Sequence, residues 1–155
     1  MALEAARFAN LVLAGMLTGN EFGSKVIVHP ALGDLLPQSH LQAEQAVTRR
    51  YGKVMPVFMT ATLASFLPVL ALERRRASPS FRFSAGGMAC YAAMLAVTLS
   101  RNVPINNRLL ELTPAAQDEF RELRARWDRL HTARNLLNLA GLTCTIISAL
   151  NSQGR

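Results

Sequence analysis

The polar residues that could do chemistry are concentrated between Arg101 and Asn138, at the edges of long apolar runs. The stretch holds the imidazole of His131, the guanidinium of Arg134 and a set of asparagine amides. An imidazole can accept a proton near neutral pH, and the other groups donate hydrogen bonds to oxygen. Because such groups are costly beside hydrocarbon, they indicate a functional site when they occur in membrane-grade segments. We therefore expect them to form one end of a pocket in a membrane bundle.

Apolar segments of membrane length must position these groups. A bilayer core is crossed by roughly 20 apolar residues at helical rise. The ranges 54–72 and 83–100 meet this test without a charge, and 136–150 meets it once the polar turn from His131 is added. The range 8–32 is interrupted by Glu21 and Lys25, and we still count it as a span. The predicted fold is all-α: a four-helix transmembrane bundle in a single domain, 1–155, whose second and fourth helices extend beyond the membrane on one face.

Prolines and capping residues set the predicted helix bounds, which are 3–28, 40–72, 82–102 and 114–150. Pro30 should end the first helix, because the residue before a proline is pushed out of helical geometry. Ser39 has the spacing of a capping box with Gln42, and Thr113 followed by proline is a good helix start. Pro104 should end or kink the third helix straight after Asn102, which leaves Asn106 and Asn107 in a loop.

Three of the helices carry their polar residues on one face each. At about 100° per residue, the polar residues of each helix fall within roughly 40 to 60° of one another. The first face holds Thr18, Lys25 and His29 with Glu21 to one side; the second holds Ser84, Tyr91, Thr98 and Asn102; the third holds Trp127, His131, Arg134, Asn138 and Thr145 beside Gly141. Because consecutive spans alternate in direction, these faces meet at one side of the membrane, together with all three histidines. The opposite side shows the arginine run 74–76 and little chemistry.

Structural roles compete with functional ones at several of these positions. Glu21 and Lys25 are spaced to pair with each other at i, i+4. Tyr51 and Trp127 are placed as interfacial anchors, with a catalytic phenol and a ring-stacking wall as the alternatives. His131, Arg134 and Asn102 could also tie the third and fourth helices together by hydrogen bonds.

The net charge of +7 raises nucleic acid as a partner, and we reject it. The arginines cluster in loops beside apolar spans, where membrane orientation and anionic lipid explain them. Cys90 and Cys144 lie inside predicted spans without metal-ligand spacing, and we interpret them as small core residues. The N-terminal apolar run is interpreted as a retained span, because Glu4 occupies the basic region of a would-be signal peptide.

At this point the sequence resembles the anthrone oxygenase-like family of small membrane proteins. The resemblance covers most of the chain. It rests on a glycine-containing first span followed by HPAL (29–32), a proline-bearing second span, NVPINNRL (102–109) and WDRLHTAR (127–134). It implies four transmembrane helices and oxidation of anthrones to anthraquinones with dioxygen and no known cofactor.

If the chain is an oxygenase of that type, His131 would remove a proton from an activated ring carbon, and Arg134, Asn102 and Asn106 would hydrogen-bond the oxygen that becomes negative. The carbanion could pass an electron directly to dioxygen. The expected partners are a small hydrophobic aromatic substrate and membrane lipid. The expected substrate-binding residues are Trp127, Asn138, Tyr91, Thr98, Lys25, Glu21 and Tyr51.

Two other classes stay open from the sequence. His29 and His131 could bind haem axially, or could bind a metal with His40 and Glu21. The chain could instead be a non-catalytic accessory subunit of a membrane complex. We expect a multi-pass protein of the cell (inner) membrane, and the sequence leaves its orientation, its substrate and a homo-oligomeric state open.

Overall fold

The computed structural model describes residues 1–152, which form helices joined by short turns and contain no strand. In chain order the elements are α1 (Ala2–Gly23), a first π segment (Ser24–Val28), α2 (His29–Gly33), α3 (Pro37–Leu72), α4 (Pro79–Val97), a second π segment (Thr98–Asn102), α5 (Val103–Glu111) and α6 (Gln117–Leu150). Each π segment joins the helices on either side of it into one continuous rod. The chain therefore forms four rods: α1–α2, α3, α4–α5 and α6.

The four rods pack as a closed bundle. Helix α1 contacts α3 and α6, and α4 contacts the same two neighbours, so each rod lies beside two others. The contact between α4 and α6 is the most extensive, because glycines remove side chains from it. A Cβ atom built at Gly141 would lie 2.8 Å from the ring of Tyr91, and one at Gly87 would lie 3.2 Å from the Gly141 carbonyl oxygen. The all-α bundle predicted from the sequence is confirmed.

Among the described residues, three rods are long and apolar enough to cross a membrane: α3, the α4–α5 rod (Pro79–Glu111) and α6. The first rod is not in this group, and Glu21 and Lys25 lower its apolar character. It nevertheless exposes large apolar side chains, among them Phe8, Met16 and Phe22. The protein is thus a membrane protein with three spanning helices by length and composition, and the fourth span stays a prediction.

Two apolar clusters stabilise the bundle at different levels. The first lies between the spanning segments and comprises Ala14, Leu17, Met55, Met59, Phe66, Tyr91 and Met94. The second joins the start of α3, α5 and the start of α6, and comprises Leu41, Ile105, Leu109, Leu112, Phe120, Leu123 and Trp127. The Gln45 side chain donates to the carbonyls of Leu109 and Leu112 at 3.1 and 3.0 Å, which satisfies the free end of α5. As predicted, the second and fourth rods continue beyond the apolar segments at one end.

The predicted ends of the first and third helices are wrong. Both rods continue through their prolines, to Gly33 and to Glu111, and each has a π segment that ends two residues before the proline. A proline inside a helix clashes with the carbonyl four residues earlier, here Val26 for Pro30 and Ser100 for Pro104. Both carbonyls lie in the wider π turns, which accommodate the proline rings without ending the rod. Asn106 and Asn107 are consequently on a helix and not in a loop.

The predicted starts of the other helices also differ from the structure. Helix α3 begins at Pro37 after Leu36, so the expected Ser39 capping box does not form. Helix α4 begins at Pro79, earlier than expected, because the Ser78 side chain accepts a hydrogen bond from the backbone N–H of Phe81 at 3.1 Å. Helix α6 begins at Gln117, because residues 113–116 form a turn closed by the Ala116 N–H and the Thr113 carbonyl at 3.0 Å.

Candidate functional site

A pocket of about 220 Å³ lies between the four rods, near the end where the predicted polar faces meet. Its polar lining comprises Glu21, Ser24, His29, Thr48, Tyr51, Thr60, Thr98, Asn106, Trp127, His131 and Arg134. Its apolar lining comprises Val47, Gly52, Met55, Pro56, Met59, Leu95, Leu99 and Val103. A mostly apolar pocket with a few convergent polar groups is typical of a small-molecule site. This one suits a compact ligand with an apolar body and a polar edge.

The charged part of the pocket is centred on Glu21. The Arg134 guanidinium donates from Nη2 to Glu21 Oε1 at 2.6 Å, and His131 Nδ1 lies 3.4 Å from Glu21 Oε2. All three side chains are buried, with 2% of Glu21, 2% of His131 and 5% of Arg134 exposed. The ion pair between Glu21 and Arg134 joins the first rod to α6. Arg134 therefore connects the first and fourth rods, whereas the structural alternative from the sequence was a tie between the third and fourth helices.

Several polar atoms of this group are buried and have no hydrogen-bond partner among the described residues. They are Glu21 Oε2, His131 Nδ1 and Arg134 Nε. Buried polar atoms in folded proteins are nearly always satisfied, so three such atoms on residues that line one pocket need a physical explanation. Glu21 Oε2 and His131 Nδ1 face each other at 3.4 Å without forming a hydrogen bond, so the hydrogen bonding of this charged group is incomplete.

Aromatic rings form a second wall. Trp127 stacks on His131 with the ring centroids 4.4 Å apart, and the His29 ring meets Trp127 edge-on at 4.5 Å. The His29 and His131 rings are themselves 5.8 Å apart. The Arg124 guanidinium lies 4.6 Å from the centre of the Trp127 ring on α6. Trp127 is therefore held between a cationic and an imidazole group and is only 9% exposed.

Glu44 gathers a second set of polar groups beside this wall. Its Oε1 atom lies 3.0 Å from His29 Nδ1, 3.4 Å from His40 Nε2 and 3.3 Å from Arg124 Nε. Glu44 precedes the apolar segment 54–72 and so lies outside the membrane span. Burial alone would raise the pKa of Glu44, but the His29 hydrogen bond and the Arg124 charge more than offset it and hold that pKa below its ordinary value. The carboxylate is ionised, and its Oε1 atom accepts a hydrogen bond from His29.

The pocket opens sideways between α3 and the α4–α5 rod. The lining residues that are exposed are Gly52, Pro56 and Thr60 on α3, with Leu99 and Val103 opposite them. The α3 residues are spaced by four, so they form one track of small side chains along that helix. Pro56, Thr60 and Leu99 belong to the apolar segments 54–72 and 83–100, whereas Gly52 and Val103 lie just outside them.

Of the residues predicted to act in catalysis or substrate binding, the pocket brings together Glu21, Tyr51, Thr98, Asn106, Trp127, His131 and Arg134. The other four lie elsewhere. Asn102 and Asn138 are completely buried outside the lining, and their side-chain amides have no hydrogen-bond partner among the described residues. Tyr91 lies in the core, where its hydroxyl hydrogen-bonds to Thr18 at 2.8 Å.

Lys25 does not pair with Glu21, although their i, i+4 spacing on the helix would allow it. Its ammonium lies 2.6 Å from Asp128 Oδ1 on α6, at the edge of a separate groove between α1 and α6. The pairing at i, i+4 is replaced because the buried guanidinium of Arg134 takes the Glu21 carboxylate. Two ion pairs therefore connect the first rod to α6.

The sequence predictions placed His29 on a polar face and offered it as a haem or metal ligand, but not as a catalytic or substrate-binding residue, and they missed Glu44 altogether. Glu44 lies on the part of the second helix that was expected to extend beyond the membrane, yet it is only 1% exposed. Its position is periodic with the buried Leu41, Met55 and Met59, and this helical spacing is a pattern that could have identified it. Arg124 could have been identified from the same helical spacing, because it lies one turn before Trp127 on α6.

The opposite end of the bundle carries more chemistry than the sequence indicated. Arg7 Nη2 lies 2.7 Å from Glu73 Oε2 and donates to Ser80 Oγ at 2.6 Å. The Ser148 hydroxyl hydrogen-bonds to Ser84 at 2.7 Å and donates to the Ser80 carbonyl at 2.8 Å. These contacts tie the first rod to the α3–α4 turn and α6, so we interpret them as a structural clamp, although Arg7 Nε has no hydrogen-bond partner among the described residues.

No group of three or more His, Cys, Asp or Glu side chains in residues 1–152 is arranged to hold a metal ion. The sequence suggested a metal site made of three histidines and Glu21, but the three histidines contact two different carboxylates. His29 and His40 contact Glu44, whereas His131 contacts Glu21. Haem binding by His29 and His131 stays an open alternative.

Fold and site together define a helical-bundle membrane protein with a buried, charged pocket that opens sideways between α3 and the α4–α5 rod. The family model of anthrone oxygenase matches residues 45–144, which is more than half of the chain. This protein therefore belongs to the anthrone oxygenase family, as the resemblance implied. The matched range includes His131 and Arg134 but not Glu21, His29 or Glu44. Neither the comparison with curated proteins nor that with solved structures finds a match.

Proposed function

We propose that the protein is a membrane-embedded oxygenase that oxidises a hydrophobic aromatic compound of the anthrone or hydroquinone class with dioxygen, without a cofactor of its own. The observation that carries this proposal is the set of unpartnered buried atoms of Glu21, His131 and Arg134 on one wall of an otherwise apolar pocket. Family membership supports the same reaction class.

The pocket suits such a substrate in size and in polarity. Its volume of about 220 Å³ is below the range of roughly 300 to 1,000 Å³ that holds most drug-sized ligands, which favours a compact, flat molecule. Met55, Met59 and Leu95 would contact the fused rings, and Trp127 would present its edge to them, because His131 and Arg124 already lie against its ring. The lateral opening would admit a substrate that is dissolved in the bilayer.

In the proposed mechanism His131 removes a proton from the activated carbon of the substrate. The negative charge moves to the ring oxygen, where Arg134 and Asn106 donate hydrogen bonds. The Nε atom of Arg134 has no partner among the described residues, so this donor is not consumed by Glu21. Asn102 lies outside the lining, and its part in the mechanism would require it to act through a neighbour. The carbanion then reduces dioxygen directly.

The test is oxygen uptake by the purified protein with a panel of anthrones and hydroquinones, beside His131→Ala and the exposed control Arg129→Ala. We expect uptake with at least one anthrone, a loss of about 10²-fold or more in His131→Ala, and no change in the control. Thermal unfolding of both variants distinguishes a structural from a catalytic role of His131. Loss of a helix tie should lower the stability, whereas loss of a catalytic base should lower turnover and leave the fold intact.

The same preparation decides the alternatives. An absorption spectrum and elemental analysis would reveal haem or metal held by the histidines, which would replace the cofactor-free proposal. Absence of uptake across the whole panel, with a partner that copurifies, would favour an accessory subunit instead.

A further inference from the structure

The pocket contains a second histidine that is better arranged to accept a proton than the sequence indicated. His29 lines the pocket, and its Nδ1 atom lies 3.0 Å from Glu44 Oε1. An ionised carboxylate is only an acceptor, so this hydrogen bond requires the proton of a neutral His29 to be on Nδ1. The lone pair is then on Nε2, the other ring nitrogen. A carboxylate that fixes the tautomer in this way also stabilises the imidazolium that forms when the ring takes a proton.

Glu44 is itself held firmly. It is 1% exposed, and Arg124 and His40 contact the same oxygen atom that contacts His29. Arg124 also lies over Trp127, whose ring meets His29 edge-on. The His29 ring is therefore positioned from two sides, by a buried carboxylate and by an indole, and this is the arrangement expected of a preorganised proton acceptor.

His131 has a different environment in the same pocket. Its Nδ1 faces the Glu21 carboxylate, and its Nε2 lies 3.4 Å from the Asn135 side-chain nitrogen. The centroids of the His29 and His131 rings are 5.8 Å apart, so the two imidazoles can reach neighbouring atoms, or the same atom, of one bound ligand. The pocket thus holds two histidines, each beside its own buried carboxylate.

We propose that His29, positioned by Glu44, is a second catalytic proton acceptor, which acts after dioxygen has added to the substrate carbon. This inference rests on the proposed function and specifies its substrate as a compound with a methylene group between two aromatic rings. Oxidation of such a methylene to a ketone removes two protons from one carbon, and these removals occur at different stages.

The first proton goes to His131, and its bonding electrons stay on the substrate as a carbanion. The carbanion transfers electrons to dioxygen, a C–O bond forms, and the resulting peroxide takes the proton back from His131. His29 then removes the second proton from the same carbon. The electrons of that C–H bond form the second bond of the ketone, the O–O bond breaks, and the leaving hydroxide takes the proton from His29 to become water. In sum, the methylene and dioxygen give a ketone and water.

Two measurements on the full-length protein in detergent or nanodiscs separate these stages. The first is deuterium exchange of the methylene of an anthrone in deuterated buffer without oxygen, followed by mass spectrometry, which reports only the first proton removal. The second is a single turnover in air, quenched and analysed for the hydroperoxide and the quinone. The variants are His29→Gln, His131→Gln and, as a control, Arg129→Ala, which removes an exposed side chain of α6 outside the pocket lining.

We expect His131→Gln to lose the exchange. His29→Gln should keep the exchange and accumulate the hydroperoxide, with quinone formation slowed by about 10²-fold or more. Arg129→Ala should resemble the wild type in both measurements. Quinone formation at the wild-type rate in His29→Gln, or loss of exchange as complete as in His131→Gln, would overturn the inference.

Glu44→Gln keeps the proposal testable if His29→Gln does not fold. As a positioning residue, Glu44 should change kcat and not KM. We therefore expect slower quinone formation by at least about tenfold, with the exchange and KM retained. A changed KM with unchanged kcat would contradict that role. A wild-type protein that shows neither exchange nor oxygen uptake would overturn the proposed function itself, whereas an active wild type matched by His29→Gln would overturn only this inference.

Discussion

The Arg134 guanidinium and the Glu21 carboxylate, 113 positions apart in the chain, form a buried hydrogen-bonded ion pair at 2.6 Å. The pair joins the first rod to α6 and leaves Glu21 Oε2 and Arg134 Nε without partners among the described residues. Both residues line the pocket, and their ion pair also connects the first rod, which is not among the three candidate membrane spans, to the rest of the bundle. Stability and activity should therefore depend on it in different ways.

Removal of either partner of this ion pair should destabilise the fold strongly. Glu21→Gln or Arg134→Met leaves a buried charge without its counter-charge, which typically costs about 3 to 5 kcal/mol. The double variant removes both charges, so we expect it to recover most of the stability while the activity stays lost. Thermal unfolding and oxygen uptake on the three variants test this. If the double variant were as unstable as the single ones, charge compensation would not be the reason for the loss.

Bulky side chains at the lateral opening should restrict access to the pocket. Thr60→Trp and Leu99→Trp narrow the gap between α3 and the α4–α5 rod, and we expect kcat/KM for a tricyclic substrate to fall by about tenfold or more. Val57→Trp is the matched control, because Val57 lies on α3, is 73% exposed and does not line the pocket. Equal effects in the control and the two variants would indicate that substrate reaches the pocket by another route.

The contact between α4 and α6 should not tolerate a side chain at Gly141. An added Cβ would lie 2.8 Å from the Tyr91 ring, which is 1% exposed and fixed by its hydroxyl, so the ring cannot move aside easily. We expect Gly141→Ala to lower stability by about 1 to 3 kcal/mol. Gly15→Ala, where nothing lies within 4 Å of the added atom, should be neutral or slightly stabilising. Thermal unfolding of both variants in one detergent gives the comparison, and similar melting temperatures would contradict the close contact.

Tyr91 should prove structural rather than substrate-binding. Its hydroxyl donates to the Ala14 carbonyl at 3.2 Å and hydrogen-bonds to Thr18, and the residue is not part of the pocket lining. Tyr91→Phe should therefore cost about 1 kcal/mol of unfolding free energy, the usual net value of a hydrogen bond, and leave KM unchanged. A clear rise in KM without loss of stability would restore the substrate-binding role that the sequence suggested.

Much of the fold could be predicted because it depends on local patterns. The apolar segments 54–72, 83–100 and 136–150 lie within α3, α4–α5 and α6, since length and hydropathy alone decide whether a helix can cross a bilayer. The polar faces were also informative. Trp127, His131 and Arg134 all line one pocket because they share one face of α6, and Thr98 lines the same pocket from the third rod.

The helix ends at Pro30 and Pro104 could not be predicted in the same way. Proline statistics describe an ordinary α-helix, whereas here a π turn before each proline gives room for the ring and continues the rod. That continuation creates α2 and α5, so it places His29 over Trp127 and Asn106 in the pocket wall. Whether a wider turn is adopted depends on the contacts that the continued helix makes, such as Gln45 with Leu109 and Leu112.

By itself the sequence determined that the chain is helical and membrane-embedded, and it determined which face of each helix is polar. Only the tertiary structure decided which charges meet. Glu21 pairs with Arg134 rather than Lys25, Lys25 pairs with Asp128, and Glu44 gathers His29. The physical reason is that helical periodicity fixes the direction of a side chain relative to its own axis. The partner depends on how each rod is rotated and how closely it approaches its neighbour, and those quantities are set by packing across the whole bundle.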